Sequence, residues 1–333
     1  MKRVIVLLFF FIEVINVNAK TFNVGFALDD VNERWLKEEK VIKSQVLKHK
    51  GSFTVTTALG NHQTQFNQVK ELVETKKINV LIIVAVDGNK AGAIVDYAKS
   101  KGVKVIAYSR MINNCDLDYF VAFNGSAIGV QQAEYAINKK KGNYVIIGGP
   151  SKDLNTPLLK SGHYVLLDEL IKKREVNVLA ERYLTTWSKE EAYQTMKAIH
   201  EKFEDSTIHA VIAANDLIAE GAIKYLKEQK IEGVIVTGLD AELEACRRIV
   251  KGDQSMTIYM NFPLLATYAS EIAYQLAMHK GVTSQLKNVR TTTVFNGKKK
   301  VDSLFLDSEL VTKENLTEVL TRHKLHSREQ VYK

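Results

Sequence analysis

The sequence has few prolines and few cysteines. Three prolines in 333 residues exclude a proline-rich linker within the chain. Cys115 and Cys246 lie far apart, and neither has a second Cys or His nearby at the spacing of zinc ligands. We therefore expect two unpaired, mostly buried thiols and no metal site. The apolar fraction of 46% and the charged fraction of 25% are typical of a globular protein with a large core.

The sequence also lacks the motifs of nucleotide binding and of common catalytic sites. It contains neither G-x-G-x-x-G nor G-x-x-x-x-G-K-[ST], and a tight strand–helix turn accounts for the pair Gly148-Gly149. No G-x-S-x-G sequence occurs, and the eight histidines are dispersed. We expect a protein that is not an enzyme and that carries no cofactor.

Positive charge is not concentrated in one region. The formal net charge is +8 at pH 7, which on its own is compatible with a polyanion partner. Most basic residues alternate with acidic ones, however, and lysines cluster only at 139–141 and 298–300. This pattern favours solvated helix and hairpin edges and argues against a nucleic-acid partner.

The first nineteen residues have the pattern of a secretory signal. Met1-Lys2-Arg3 precedes an apolar run, Val4–Ile12, and a small residue, Ala19, ends the segment. The apolar run is shorter than the ~20 residues that span a bilayer. No cysteine lies near the expected cleavage point, so the chain lacks the usual lipid-anchor residue. We expect secretion across the cytoplasmic membrane, to the periplasm or the extracellular face.

Apolar strands and amphipathic helices alternate along the rest of the chain. The run Val80–Val86 is rich in β-branched residues and is typical of a strand buried on both faces. Helical spacing follows it, then a further strand at Val103–Tyr108, and the same rhythm restarts after residue 124. This order predicts an α/β fold with two doubly wound parallel sheets.

Polar and aromatic side chains follow the predicted strands, where ligands bind in open parallel sheets. Guanidinium, amide and carboxylate groups supply the donors and acceptors that sugar hydroxyls need, and indole rings suit the apolar faces of a sugar. The candidate residues are Arg34, Trp35, Arg110, Asn155, Trp187, Asn215 and Asp240.

Structural roles are alternatives for several of these residues. Either tryptophan is compatible with a place in the core, and Arg110 with a surface ion pair. Asp29 and Asp216 have the character of helix caps. Asn215 and Asp240 are also common turn residues.

From about Asn23 to its end, the chain resembles the periplasmic sugar-binding proteins of the ribose/galactose/xylose type, and most closely the xylose type. The superfamily likeness is strong, and the xylose-type likeness rests chiefly on Arg34-Trp35 and residues 110–113. The matching stretches are Asp29-Asp30-x3-Arg34-Trp35, Gly60-Asn61-x2-Thr64-Gln65, Tyr108-x-Arg110-Met111-Ile112-Asn113, Ala214-Asn215-Asp216, Gly238-x-Asp240-Ala241 and Met256-Thr257-x-Tyr259.

The resemblance implies a type I periplasmic binding protein fold, in which two lobes joined by a three-strand hinge close over one sugar. With the signal peptide at 1–19, it implies a first lobe from 20–123 plus about 261–300, and a second lobe from 124–260 plus about 301–333. Arg34, Trp35 and Arg110 are then expected to line the cleft from the first lobe. Asn155, Trp187, Asn215 and Asp240 are expected to line it from the second.

Three positions depart from the family pattern. Ser109 stands where the family usually has Asp, Leu239 where it has Gln, and Met260 where the xylose type has Lys. The exchanged Asp and Lys cancel in charge. Each unreplaced charge-assisted bond is worth ~1.5–3 kcal/mol, so we expect weaker binding or another sugar preference. Ser109 and Met260 are further candidate ligand-binding positions.

The missing lipid-anchor cysteine bears on the membrane partner. We expect sugar-driven closure to signal to a receptor such as a histidine kinase ectodomain. The alternative is delivery of sugar to an ABC permease. Sugar-responsive repressors share the two lobes, but they need an N-terminal DNA-binding helix pair where this chain has a signal sequence.

Overall fold

The computed structural model describes residues 22–280, 282 and 290–333. The predicted signal peptide, residues 1–19, lies outside the described residues. Within the described ranges, no helix has the length and apolar character needed to cross a membrane.

The described residues form strands and helices that alternate through most of the chain. The strands are β1 (Asn23–Leu28), β2 (Ser52–Thr57), β3 (Val80–Ile83), β4 (Lys104–Tyr108), β5 (Tyr119–Phe123), β6 (Gly142–Gly148), β7 (Val176–Tyr183), β8 (Ala210–Ala213), β9 (Ile235–Val236), β10 (Met256–Tyr259), β11 (Arg290–Phe295), β12 (Lys300–Leu306) and β13 (Glu309–Thr312). The helices are α1 (Glu33–Lys48), α2 (His62–Glu74), α3 (Gly92–Ser100), α4 (Gly125–Lys139), α5 (Asn155–Lys172), α6 (Lys189–Lys202), α7 (Asp216–Glu228), α8 (Leu243–Lys251), α9 (Phe262–Ala277), α10 (Leu316–His323) and α11 (Arg328–Val331).

The first sheet has the strand order β11-β12-β5-β4-β3-β1-β2 and is parallel except for the antiparallel edge strand β11. Its central strands are buried on both faces because side chains alternate between two clusters. On β3, Val80 and Ile82 belong to the cluster that includes residues of α1 and α9. Leu81 and Ile83 belong to the cluster that includes residues of α2 and α3. We call this sheet and these helices the first lobe.

The second sheet has the order β7-β6-β8-β9 and is entirely parallel. The antiparallel pair β10–β13 continues it, since the amide of Ser255 donates to the carbonyl of Val236 at 3.0 Å. Helices α4 and α5 approach closely at Gly129, where a β-carbon would lie 2.1 Å from the carbonyl oxygen of Leu159. These strands and the helices α4–α8, α10 and α11 form the second lobe.

The chain passes between the lobes three times: after β5, between β10 and α9, and between β12 and β13. The third passage differs from the expected boundary near residue 300. Ser303–Leu306 of β12 lie in parallel register with Phe120–Phe123 of β5. Residues 300–306 therefore belong to the first sheet, and the segment assigned to the second lobe as 301–333 begins there only after β12.

Cys115 and Cys246 are both free and fully buried, as predicted. Burial raises the pKa of the Cys115 thiol to about 11 and that of Cys246 to about 12. Both thiols therefore stay protonated at neutral pH and pack as small apolar groups.

Candidate ligand-binding site

Arg110 joins the two lobes through carboxylates. It follows β4, and its Nη1 forms an ion pair with Asp29, which follows β1 in the same lobe. Its Nε and Nη2 lie 3.1 and 3.0 Å from Oδ2 of Asp153, in the loop after β6 of the second lobe. Burial lowers the pKa of Arg110, but Asp153 and Asp29 more than offset that effect, so the pKa is raised. The guanidinium is thus a permanent charge held between two carboxylates.

Arg34, in the first turn of α1, is held by both polar and aromatic neighbours. Its Nε donates to Glu38 at 2.6 Å and its Nη2 to the hydroxyl of Ser109 at 3.2 Å. Its guanidinium carbon lies 4.2 Å from the ring centroid of Trp35 and 3.9 Å from that of Phe262. Burial raises the pKa of the Glu38 carboxyl, and Arg34 opposes that rise. These contacts fix the direction of the guanidinium before any ligand binds.

Asp240 of the second lobe is within electrostatic reach of Arg34. The pKa of Asp240 is raised well above its usual value, first by burial and then by the charges of Asp216 and Glu242. Arg34 and a hydrogen bond from Asn215 oppose the rise. Asn215 is 7% exposed, and its Oδ1 caps α7 by accepting from the amide of Ile218 at 3.0 Å. The sequence left a turn role and a ligand role open for Asn215, and the structure shows that its side chain caps a helix and also contacts Asp240.

The two tryptophans occupy different environments. Trp35 is 3% exposed and packs in the core, with its ring centroid 6.3 Å from that of Tyr108. Trp187 follows β7 and is only partly buried. It lies against Gly149, where a β-carbon would be 2.1 Å from the ring atom Cη2. The core interpretation therefore fits Trp35, while Trp187 presents part of its indole at a strand end.

Asn155 is the first residue of α5, and its backbone amide donates to Oδ1 of Asp153 at 3.0 Å. Asp153 therefore connects Asn155 and Arg110, two of the predicted site residues. Neither Asp29 nor Asp216 is the helix cap that the sequence left open, because Asn32 caps α1 and Asn215 caps α7.

The departing positions Ser109 and Met260 differ in what they offer a ligand. Ser109 is 8% exposed, has φ of 66°, and accepts a hydrogen bond from Arg34. Its hydroxyl thus belongs to the polar cluster at the end of β4. Met260 is 6% exposed and lies in the main apolar cluster, as does Leu239. Neither of these two side chains carries a strong hydrogen-bonding group.

Comparisons with known proteins agree with this geometry. The sequence pattern of the periplasmic binding protein domain family matches residues 24–281. The chain belongs to this family. It is 32% identical over 95% of its length to the D-xylose-binding periplasmic protein of Haemophilus influenzae, covering 94% of that protein. Identity to the D-xylose-binding periplasmic protein of Escherichia coli is 31%, over 94% of each chain.

A solved structure extends the likeness to three dimensions. It is an ABC transporter solute binding protein from Clostridium phytofermentans with bound β-D-glucose. Its TM-score is 0.83 at 25% identity, and the match covers 93% of this chain and 99% of the other. The type I periplasmic binding protein fold predicted from the sequence is therefore confirmed.

In this periplasmic binding protein, the sequence-based reasoning missed Asp153 and Glu38. Asp153 lies in a strand-end loop, the position that pointed to the other candidates, but only the preceding Gly148-Gly149 drew notice. Glu38 lies four residues after Arg34 on α1, a spacing that brings side chains together on a helix. Among the described residues, no group of three His, Cys, Asp or Glu side chains is placed to hold a metal ion.

Proposed function

We propose that this protein binds a monosaccharide between its lobes, with D-xylose as the first candidate, and that it catalyses no reaction. The observation that most supports this proposal is that Arg110 contacts Asp29 of one lobe and Asp153 of the other. Sugar hydroxyls both donate and accept hydrogen bonds, so a site with guanidinium, carboxylate and amide groups from two sides suits them. The two relatives at 31–32% identity are D-xylose-binding periplasmic proteins, which supports the choice of xylose.

Ligand binding in such a site is expected to favour the closed arrangement of the lobes. A sugar that bonds to Arg34 and Arg110 on one side and to Asn155, Asn215 and Asp240 on the other gains its full set of contacts only when the lobes are close. The free energy of those extra contacts shifts the population toward closure. Trp187 supplies the apolar surface for a sugar face.

Calorimetric titration with D-xylose and a panel of pentoses and hexoses tests the proposal. We expect one-to-one binding of at least one sugar and a loss of about 100-fold or more in affinity for Arg110→Gln. Arg322→Gln is the matched control, because Arg322 also contacts two carboxylates, Glu309 and Glu318, but does so on the exposed C-terminal segment. Absence of heat and of thermal stabilisation with every sugar would contradict the proposal.

The membrane partner is proposed on separate grounds. The similar protein from Clostridium phytofermentans is an ABC transporter solute binding protein, which supports delivery of sugar to an ABC permease from the outer side of the cytoplasmic membrane. A sensory role with a histidine kinase ectodomain is the second candidate, because closure over a sugar changes the relative orientation of the lobes. Co-purification with each membrane protein, with and without sugar, separates the two. A kinase ectodomain that never associates excludes the sensory role.

A further inference from the structure

Asp240 lies in a backbone turn that most residues avoid. We call residues 239–242 the Asp240 turn. Asp240 has φ of 102° and Ala241 has φ of 51°, so two consecutive residues with side chains occupy the region that favours glycine. Such strain persists only where surrounding contacts hold the backbone in place. The contacts that hold this turn are therefore informative about function.

Two buried polar residues, Asp216 and Thr257, hold the Asp240 turn at both ends. The amide of Asp216 donates to the carbonyl of Leu239 at 3.0 Å, and Oδ2 of Asp216 accepts from the amide of Glu242 at 3.0 Å. The hydroxyl of Thr257 accepts from the amide of Ala241 at 3.2 Å and donates to Oδ1 of Asp216 at 2.8 Å. The side chains of Thr257 and Asp216 thus bind two consecutive amides of the turn, and the backbone of Asp216 binds its first residue.

This arrangement uses the one proton of the Thr257 hydroxyl and one of its two lone pairs. A hydroxyl has one proton to donate, and here it forms a hydrogen bond to the carboxyl group of Asp216. The hydroxyl oxygen accepts a hydrogen bond from the amide of Ala241. Gln254 donates a further hydrogen bond to Oδ1 of Asp216 at 2.8 Å. Asp216 and Thr257 are both 0% exposed. Any effect that they have on a ligand in the cleft therefore passes through the turn.

We propose that Asp216 and Thr257 are positioning residues that fix the direction of the Asp240 carboxylate and thereby set sugar affinity. The proposal rests on the proposed sugar-binding function. Asp216 and Thr257 act through Asp240, since the hydrogen bonds on the turn define where its side chain points, opposite Arg34 of the other lobe.

A set of threonine variants tests the proposal. Thr257→Val keeps the volume but removes both hydroxyl bonds, and we expect a loss of about 10-fold in sugar affinity. Thr257→Ser restores the hydroxyl and is expected to restore most of the affinity. Thr237→Val is the matched control, because Thr237 is also 0% exposed but its hydroxyl donates to the carbonyl of Ala213, outside the turn. Equal affinity losses in Thr257→Val and Thr237→Val would overturn the proposal.

A double-mutant cycle separates positioning from general stability. In the Asp240→Ala background, Thr257→Val is expected to weaken sugar binding by less than 2-fold, because the side chain that it positions is gone. Full additivity of the two losses would overturn the proposal. If Thr257→Val does not fold, Asp216→Asn serves instead, since its single acceptor oxygen cannot serve both the amide of Glu242 and the hydroxyl of Thr257.

Hydrogen exchange gives a readout that needs no sugar. We expect the amides of Ala241 and Glu242 to exchange at least 10-fold faster in Thr257→Val than in Thr237→Val. Unchanged exchange overturns the positioning proposal. Faster exchange in a protein that binds no sugar would instead contradict the proposed function and leave the holding of the turn supported.

Discussion

Single residues decide which groups of the cleft are available to a ligand. Arg110 and Arg34 have carboxylate partners before a sugar arrives, so a ligand exchanges hydrogen bonds with groups that are already oriented. Such preorganisation reduces the entropic cost of binding. The two positions where the resemblance leads one to expect a charge, Ser109 and Met260, leave the cleft with one fewer acid and one fewer base.

Trp187 provides the first prediction at this scale. Trp187→Ala removes the partly buried indole that lies against Gly149, and we expect sugar affinity to fall by about 30–100-fold, or about 2–3 kcal/mol. Trp187→Phe retains an aromatic face and should lose less. Calorimetry measures both. Equal affinity in Trp187→Ala and the unaltered protein would mean that the indole serves only packing.

Met260 provides the second prediction at the residue scale. Met260→Lys supplies the cation that the xylose type carries, and a charge-assisted bond of about 1.5–3 kcal/mol predicts a change of about 10–100-fold in sugar affinity or preference. Because Met260 is 6% exposed in an apolar cluster, the variant is also expected to melt at a lower temperature without sugar. Met260→Leu controls for packing. An unaltered sugar profile would place this side chain outside the ligand's reach.

At the scale of elements, continuous apolar runs predicted the buried strands well. Strands whose place depends on tertiary packing were harder to predict. The strands around Val80, Val103 and Val145 were predictable because both sheet faces are covered, which makes the runs continuous. By contrast, β2 (Ser52–Thr57) was not predicted, because its residues are mainly polar and it lies at the edge of the first sheet. Strand-end positions pointed to Arg110 and Asp240, and Asp153 has the same kind of position, but its pairing with Arg110 depends on how the two lobes meet.

The helix pair α4–α5 gives a pH-dependent prediction. The Nε2 of His163 on α5 donates to Oε1 of Gln132 on α4 at 2.8 Å, since the amide nitrogen of Gln132 donates to the carbonyls of Ala213 and Gly238. Burial lowers the pKa of His163 from 6.5 to about 4. Below pH 6.5 this histidine binds a proton in the unfolded chain but not in the folded protein. The free energy of unfolding therefore falls as pH falls from 6.5 to 4.

We expect this histidine to remove about 2–3 kcal/mol of unfolding free energy between pH 6.5 and 4. Burial raises the pKa of Asp216 to about 7, which acts in the opposite direction over a similar range, so variants must be compared at each pH. Urea unfolding should show a flatter acid limb for His163→Gln than for the unaltered protein, with the exposed His279→Gln as control. Parallel acid limbs for all three proteins would contradict the prediction.

At the scale of the whole molecule, one ion pair crosses between the lobes at the candidate site. Arg110 of the first lobe and Asp153 of the second are 3.0 Å apart, and both are largely buried. In the absence of a ligand this contact favours the closed arrangement. It therefore contributes to the balance between open and closed states that sugar binding shifts.

Asp153→Asn tests this contribution. Loss of the charge on one partner is expected to increase the open population and the radius of gyration measured by small-angle X-ray scattering without sugar. Asp118→Asn is the control, because Asp118 contacts Lys99 and Lys104 within the first lobe. Identical scattering from Asp153→Asn and the control would show that the ion pair has no effect on closure.

The position of β12 between β5 and β11 determines when the first sheet can be completed during synthesis. A ribosome completes all strands of the second sheet before it reaches Lys300, so the first sheet lacks its sixth and seventh strands until synthesis is nearly finished. The side of β5 that β12 later covers stays unpaired throughout that interval. The first sheet is thus begun before the second but completed after it, and the nascent chain must keep an incomplete sheet edge from pairing with a neighbouring chain.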